Sequence, residues 1–422
     1  MVRRGFAGVK LPALPARPAV AHHGGMQQQA SSLATLAQAC IHCGLCLEAC
    51  PTWQLTGRED MSPRGRIRAM VDAGRGEVPV ATVLPAVDAC LGCRACETAC
   101  PSGVRYGAIL EGARAEVLEP ARPWSWRRMF WRPLIRQVLP YRRRFALLML
   151  PVRLIARLPG ARAFPLFGRL SAMLPPTRQL PEAPNSPAVP QDARRAVLLE
   201  GCALPVLYPG VVSASERLLA AAGYRVARPA TGCCGALEAH DGATAAVTRR
   251  VSRVFGALDA GVDVVVTEAA GCGAHLKAHR PEDGPPVLDL AEALLQAGWQ
   301  PRVKLTGPSG APLRVAYQDP CHLLHGQRLH EPARTLLERA GAEVLPVADP
   351  GRCCGGAGTH AFLHPGAADR LGQAKWDDLA VTRPDVVVTA NPSCQMQLDA
   401  ARRGSGGHLE VLHLTELLVR AL

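Results

Sequence analysis

The chain has 422 residues, 48% hydrophobic and only 4% aromatic, with a formal net charge of +13, enough for two or three domains with sizeable cores. Sixteen cysteines in a chain this long argue against a small disulfide-stapled secreted scaffold and for a reducing cytoplasm. No uncharged apolar stretch reaches the roughly 18 residues of a membrane span, so no membrane-spanning helix is expected.

Residues 1–25 hold a few basic residues and several prolines without an apolar core. They read as a disordered extension rather than a signal peptide, with Met26 an alternative start. The next region, 26–120, contains two matching runs. The first is Cys40-Ile41-His42-Cys43-Gly44-Leu45-Cys46-Leu47-Glu48-Ala49-Cys50-Pro51, the second Cys90-Leu91-Gly92-Cys93-Arg94-Ala95-Cys96-Glu97-Thr98-Ala99-Cys100-Pro101. Each is C-x2-C-x2-C-x3-C-P, the spacing with which bacterial-type ferredoxin segments hold cubane 4Fe-4S clusters. Three thiolates of one run take three corners of a cube, and the fourth comes from the other run. The expected ligand sets are therefore Cys40, Cys43, Cys46 and Cys100 for cluster 1, and Cys90, Cys93, Cys96 and Cys50 for cluster 2. Zinc sites pair a C-x2-C with a distant second pair, which neither run does. Pro51 and Pro101 end the local helix, and Gly44, Gly92, Ala95 and Ala99 leave room for backbone amides near the sulfurs. Ala86 to Glu97 and Tyr106 to Leu118 show helical periodicity, so the region reads as an α-helical ferredoxin-like domain.

Residues 121–195 form a basic segment and a linker. Positions 121–180 carry thirteen arginines and no lysine or acid; outside them the chain has 35 basic and 35 acidic residues. The whole charge excess is local, and no nucleic-acid-binding signature accompanies it. With Trp124, Trp126, Phe130, Trp131, Tyr141 and the apolar run Phe145–Leu150 beside the arginines, the segment suits an anionic membrane surface or an acidic partner. It also suits a connector that packs on its neighbours. Residues 175–195 are Pro- and Ala-rich.

From 196 the sequence repeats. Val197–Cys202, a helical Ala214–Ala222, Cys233-Cys234-Gly235, the strand-like Asp263–Thr267 and Cys272 return as Val315–Cys321, Ala333–Ala340, Cys353-Cys354-Gly355, Asp385–Thr389 and Cys394. The cysteine offsets are 119, 120, 120 and 122 residues. Val287–Glu292 and Val411–Glu416 read as matching closing helices. Short β-branched runs between helices predict parallel sheets with crossover helices. The expected architecture is two repeated α/β lobes, 196–300 and 312–422, related by pseudo-twofold symmetry. Cys202, Cys233, Cys234, Cys272, Cys321, Cys353, Cys354 and Cys394 fall at or beyond strand ends, the edge where such sheets bind ligands. Four thiols per lobe read as an additional redox or metal site.

These two blocks resemble the cysteine-rich CCG domains of heterodisulfide reductase subunits and of iron–sulfur subunits in flavin-linked dehydrogenases. The order, two ferredoxin runs and then two CCG blocks, resembles the iron–sulfur subunit of glycolate oxidase (glycolate dehydrogenase). Ser62-Pro63-Arg64-Gly65-Arg66-Ile67, Pro320-Cys321-His322-Leu323-Leu324-His325 and Asn391-Pro392-Ser393-Cys394 add to the likeness. The resemblance implies an electron-transfer subunit of an oxidoreductase. It would take electrons from an FAD-binding partner that oxidises a 2-hydroxy acid and pass them through two 4Fe-4S clusters toward a quinone or other acceptor. It also leaves room for a further iron–sulfur cluster in the CCG lobes, and it implies a cytoplasmic location with peripheral contact at the inner face of the cell membrane. Heterodisulfide reductases close each block with Cys-x-x-Cys; here His275 and Gln397 stand in the last position. With no G-x-G-x-x-G after a strand and no flavin signature, the chain is not expected to oxidise substrate alone. The alternatives are a thiol/disulfide reductase of the heterodisulfide type and a glycerol-3-phosphate dehydrogenase iron–sulfur subunit.

Overall fold

The computed structural model describes residues 33–156, 173–175 and 189–422; the expected N-terminal extension, the alternative start and much of the linker lie outside them. Residues 33–118 are helical wherever they are regular. α1 (Leu33–Ala37), α3 (Pro63–Gly74), α4 (Val80–Asp88) and α6 (Tyr106–Ala113) pack around Met70, Val87, Ile109 and Ala113, all fully buried. α2 (Pro51–Thr56) begins at the proline that closes the first run, and the single turn α5 (Ala95–Thr98) lies inside the second. Ser62 caps α3 by accepting from the Gly65 amide at 3.0 Å, satisfying one of the amides a helix start leaves open. The helix expected over Ala86–Glu97 is corrected: α4 stops at Asp88. The cysteine loop behind it needs φ +64° at Gly92 and +63° at Arg94, which no α-helix accommodates.

α7 (Trp126–Pro133) and α8 (Arg142–Ile155) carry the basic segment. Part of its charge is spent within the chain: Arg122 pairs with Asp88, Arg136 with Asp241 and Arg142 with Glu200. Phe145 and Met149 turn inward from α8, while Leu147, Leu150 and Leu154 face out.

Two all-parallel four-stranded sheets follow. The strands are β1 (Arg195–Leu198), β2 (Arg225–Ala227), β3 (Val264–Thr267), β4 (Val287–Asp289), β5 (Arg314–Gln318), β6 (Glu343–Val344), β7 (Val386–Thr389) and β8 (Glu410–His413). The orders are β2-β1-β3-β4 and β6-β5-β7-β8, the same topology twice. The Val-Val-Val runs of β3 and β7 are buried throughout, as continuous apolar strands between helical layers should be. The expected closing helices begin as strands: Val287–Asp289 pairs with β3 and Glu410–His413 with β7. Asp289 and His413 then cap the short helices that follow, with Glu292 and Glu416 completing each capping box, so the helical glutamates sit behind strands. The lobes share one core, in which Leu218, Leu294, Leu337 and Leu417 are fully buried.

Candidate metal centres

All sixteen cysteines are free thiols. The first run lies open: Cys43 is exposed between Ile41 (69% exposed) and Leu45 (61%). The second is enclosed: the matching residues Leu91 and Ala95 are each 6% exposed. Both loops turn by the same device. The residues before and after the second cysteine have positive φ in each run, at His42 (57°) and Gly44 (87°), then Gly92 (64°) and Arg94 (63°). Only half of these four are glycine, so the strain shows that the loop conformation is imposed by its surroundings.

Two arginines of α3 serve the two runs separately. Arg64 donates to the His42 carbonyl at 3.0 Å and lies against Gly44, where a Cβ would meet its guanidinium at 2.6 Å. Arg66 is buried to 1% exposure. It donates to Ala86 O (2.7 Å), to Thr52 Oγ1 (2.8 Å) and, more weakly, to Cys50 Sγ (3.8 Å). Its charge also acts on Cys90. Cys50, the last cysteine of the first run, therefore shares a buried cation with the first cysteine of the second. Burial alone would raise the Cys90 thiol; Arg66 and Arg114, the Gly92 amide (3.4 Å from Sγ) and Tyr106 bring it below its ordinary value. Burial drives Cys93 and Cys96 well up.

The lobe thiols gather as two sets. In the first, Cys233 Sγ lies 3.6 Å from Cys202 Sγ, and Cys234 Sγ 3.0 Å from Cys272 Sγ. Hydrogen bonds from Cys202 and Cys234, then the Gly235 amide, pull the Cys233 thiol well below its usual range. In the second, Cys354 is lowered by Cys353 and Cys394 and by the Gly356 amide, with buried Lys375 adding positive charge. Gly235 and Gly355 take φ of 93° and 79°, and each donates its amide at 3.4 Å to the first sulfur of its Cys-Cys pair. Position three after the last cysteine is buried in both lobes. His275 Nε2 and Gln397 Oε1 have no hydrogen-bond partner among the described residues, though Gln397 donates to Ala368 O at 2.8 Å.

The second cysteine run meets both lobes. Cys93 packs with Leu91 against Cys321, Cys353 and Leu371. His360 Nε2 lies 3.2 Å from Ala89 O and Thr98 Oγ1 lies 2.9 Å from His325 Nδ1; the second lobe also touches α2 behind the first run, where Arg370 donates to Leu55 O at 2.8 Å. From the first lobe, His240 reaches the loop, 3.4 Å from where a Gly92 Cβ would stand. The wide turn His322–Gln327 that follows Cys321 brings His322 to a ring-centroid distance of 6.1 Å from His240. The sequence offered no signal for Arg66 as a shared cation or for His240 and His360 as neighbours of the second run, because these contacts join residues far apart in the chain.

Soft thiols, with backbone amides directed at Cys90, Cys233 and Cys353, are the donor chemistry that iron–sulfur clusters take, so the residues fit such groups. The comparisons agree. Residues 36–104 match the 4Fe-4S dicluster domain family, and residues 196–277 and 315–399 match the cysteine-rich domain family CCG. The chain is 33% identical to the glycolate oxidase iron-sulfur subunit of Escherichia coli (strain K12), over 94% of this chain and 97% of that protein. It is 31% identical to the probable glycolate oxidase iron-sulfur subunit of Bacillus subtilis (strain 168), over 90% and 93%. A more distant relative is a subunit of the dihydromethanophenazine:CoB–CoM heterodisulfide reductase of Methanosarcina barkeri (strain Fusaro / DSM 804), 23% identical over 91% and 93%. On sequence, domain order and donor chemistry together, the chain belongs to the family of glycolate oxidase iron–sulfur subunits, components of an oxidoreductase complex.

Proposed function

We propose that this chain is the electron conduit of a flavin-dependent glycolate (2-hydroxy-acid) dehydrogenase. Its two ferredoxin-type sites would accept electrons from an FAD-bearing partner and hand them toward a quinone or comparable acceptor. Cys40, Cys43, Cys46 and Cys100 would hold cluster 1; Cys90, Cys93, Cys96 and Cys50 would hold cluster 2. A cubane cluster bound at such a site supplies one-electron redox capacity. What carries the assignment is the exchange at Cys50: it shares Arg66 with Cys90, as a fourth ligand lent to the other run should. The contrast in exposure favours an order. The open loop around Cys43 would meet the partner, and the enclosed second run would pass electrons inward to the acceptor side. The lobe thiols, Cys202, Cys233, Cys234 and Cys272 with Cys321, Cys353, Cys354 and Cys394, would hold further iron–sulfur groups, the second set next to Cys93.

We keep the division into an extension (1–25), a ferredoxin-like domain (26–120), a basic segment and linker (121–195) and two lobes (196–300 and 312–422), the lobes related by pseudo-twofold symmetry, as the repeated strand order favours. Among the described residues no helix is long and apolar enough to cross a membrane. The free thiols favour a reducing cytoplasm, and the outward leucines of α8 beside Arg143 favour peripheral contact with the inner face of the cell membrane. The test is co-purification from the native host. The complex should carry FAD on another subunit, at least eight iron atoms on this one, from about four per cubane, and clusters that bleach on adding glycolate. An iron-free, correctly folded chain would refute the reading.

A further inference from the structure

The two lobes repeat each other's cysteines but not the residue three places after the last one, which is His275 in the first lobe and Gln397 in the second. Both are buried beside their thiols. We propose that His275 is a nitrogen ligand of the first lobe's iron–sulfur group, completing a donor set with Cys202, Cys233, Cys234 and Cys272 that the second lobe lacks. The proposal rests on the reading above that the lobe thiols hold such groups, and it makes the two lobes chemically unequal.

Three observations carry it. Cys272 and His275 share the helix Ala270–His279, and residues three apart lie on one helix face. His275 is 7% exposed, and its Nε2 has no hydrogen-bond partner among the described residues. A buried ring nitrogen without a partner calls for a ligand or a water. Finally, that nitrogen is turned toward the thiols. It stands 3.5 Å from where a Cβ on Gly235 would be. Gly235 is the residue whose amide donates to Cys233 Sγ at 3.4 Å, and it follows Cys234, whose sulfur lies 3.0 Å from that of Cys272. His279 lies against the His275 ring, centroids 4.3 Å apart, with its own Nδ1 2.9 Å from the His275 carbonyl oxygen. It braces the imidazole and leaves Nε2 available.

The second lobe shows the same position without a ligand. Gln397 donates its amide nitrogen to Ala368 O at 2.8 Å, and its remaining oxygen is a hard donor, suited to magnesium or calcium rather than to iron–sulfur chemistry. Among the described residues no three His, Cys, Asp or Glu side chains converge on a single metal ion, which sets a lone zinc aside as the occupant. A neutral imidazole binds through the Nε2 lone pair with its proton on Nδ1, so ligation breaks no bond and releases no proton. Imidazole in place of thiolate raises the potential of an iron–sulfur centre. The first lobe would therefore hold an electron more tightly than the all-thiolate second lobe.

The test is pulsed paramagnetic resonance on the purified iron-loaded chain, stepped through its redox states, with histidine alone carrying a heavy nitrogen isotope. One cluster signal of the native chain should show strong coupling to a histidine nitrogen. His275→Ala should lose that coupling and keep the signals of the two ferredoxin-type sites. His275→Cys restores a ligand: it should keep the native iron content, lose the coupling and shift the midpoint potential of that one centre downward. A native chain without the coupling, a coupling that survives His275→Ala, or an unshifted potential in His275→Cys would overturn the proposal. Iron analysis separates the two readings. More than about eight iron atoms per chain without histidine coupling would end the ligand assignment alone. Only about eight, all in the ferredoxin-type sites, would end the lobe reading and this proposal together.

Discussion

Cys43 stands in the open between two exposed apolar side chains, whereas its counterpart Cys93 is packed against Cys321, Cys353 and Leu371. The two runs have the same spacing and the same left-handed turns, so the local conformation is equivalent. What differs is what the rest of the chain lays over them. α3 shows the same division within three residues: Arg64 supports the open loop from the surface, and Arg66 is sealed between Cys50 and the Ala86 carbonyl of α4. Spacing sets which chemistry a run can perform; tertiary surroundings set whether it faces a partner or the interior.

The comparison can be broken at the cysteines themselves. Cys93→Ser should remove about four iron atoms per chain and also loosen the packing onto the second lobe, seen as a lower melting temperature. Cys43→Ser should alter one cluster signal and leave that packing intact. Equal loss of thermal stability in the two variants would erase the distinction. Next come the arginines. Arg66→Ala strands the Ala86 carbonyl in the interior and takes a donor from Thr52 and Cys50, at a cost of about 3 kcal/mol; chemical denaturation measures it. Arg64→Ala should leave the denaturation midpoint unchanged, and a drop comparable to that of Arg66→Ala would show both loops to be buried alike.

How much of this was legible beforehand depends on the range of the contact. The ligand spacing, the repeat and the core strands β1, β3, β5 and β7 were legible because each is written in a few consecutive residues. β2 and β6 were not, being edge strands of three and two residues. The opening strands β4 and β8 read as helix because Leu290–Glu292 and Leu414–Glu416 continue the apolar pattern beyond the strand. His42 and Arg94 carry no sequence mark of a left-handed backbone, since glycine is the residue that signals it.

A third expectation concerns acid stability and contrasts the lobe interface with the open run. His413 is 1% exposed, with its Nε2 3.0 Å from Glu268 O across the lobe boundary. Burial lowers it to about 4. Its folded value lies below the unfolded one, so the unfolded chain binds more protons between the two. The stabilisation is complete above pH ~6.5 and is lost as pH falls toward 4, on the order of 3 kcal/mol. Urea denaturation of His413→Asn should show a shallower decline over that window; an unchanged slope would assign the acid sensitivity elsewhere. The smallest effect on the chain itself comes from Leu45→Asp, which should leave iron content and stability as they are. It should weaken association with the flavoprotein about tenfold, measured by pull-down titration, and unaltered association would move the partner surface away from the first run.

The most direct measurement is relaxation enhancement of the reduced clusters by a soluble dysprosium chelate, with the Cys43→Ser variant identifying which signal belongs to the first run. The account predicts that the first-run signal relaxes strongly with added chelate and the second hardly at all. Equal enhancement of both signals, or a larger effect on the second, would contradict it.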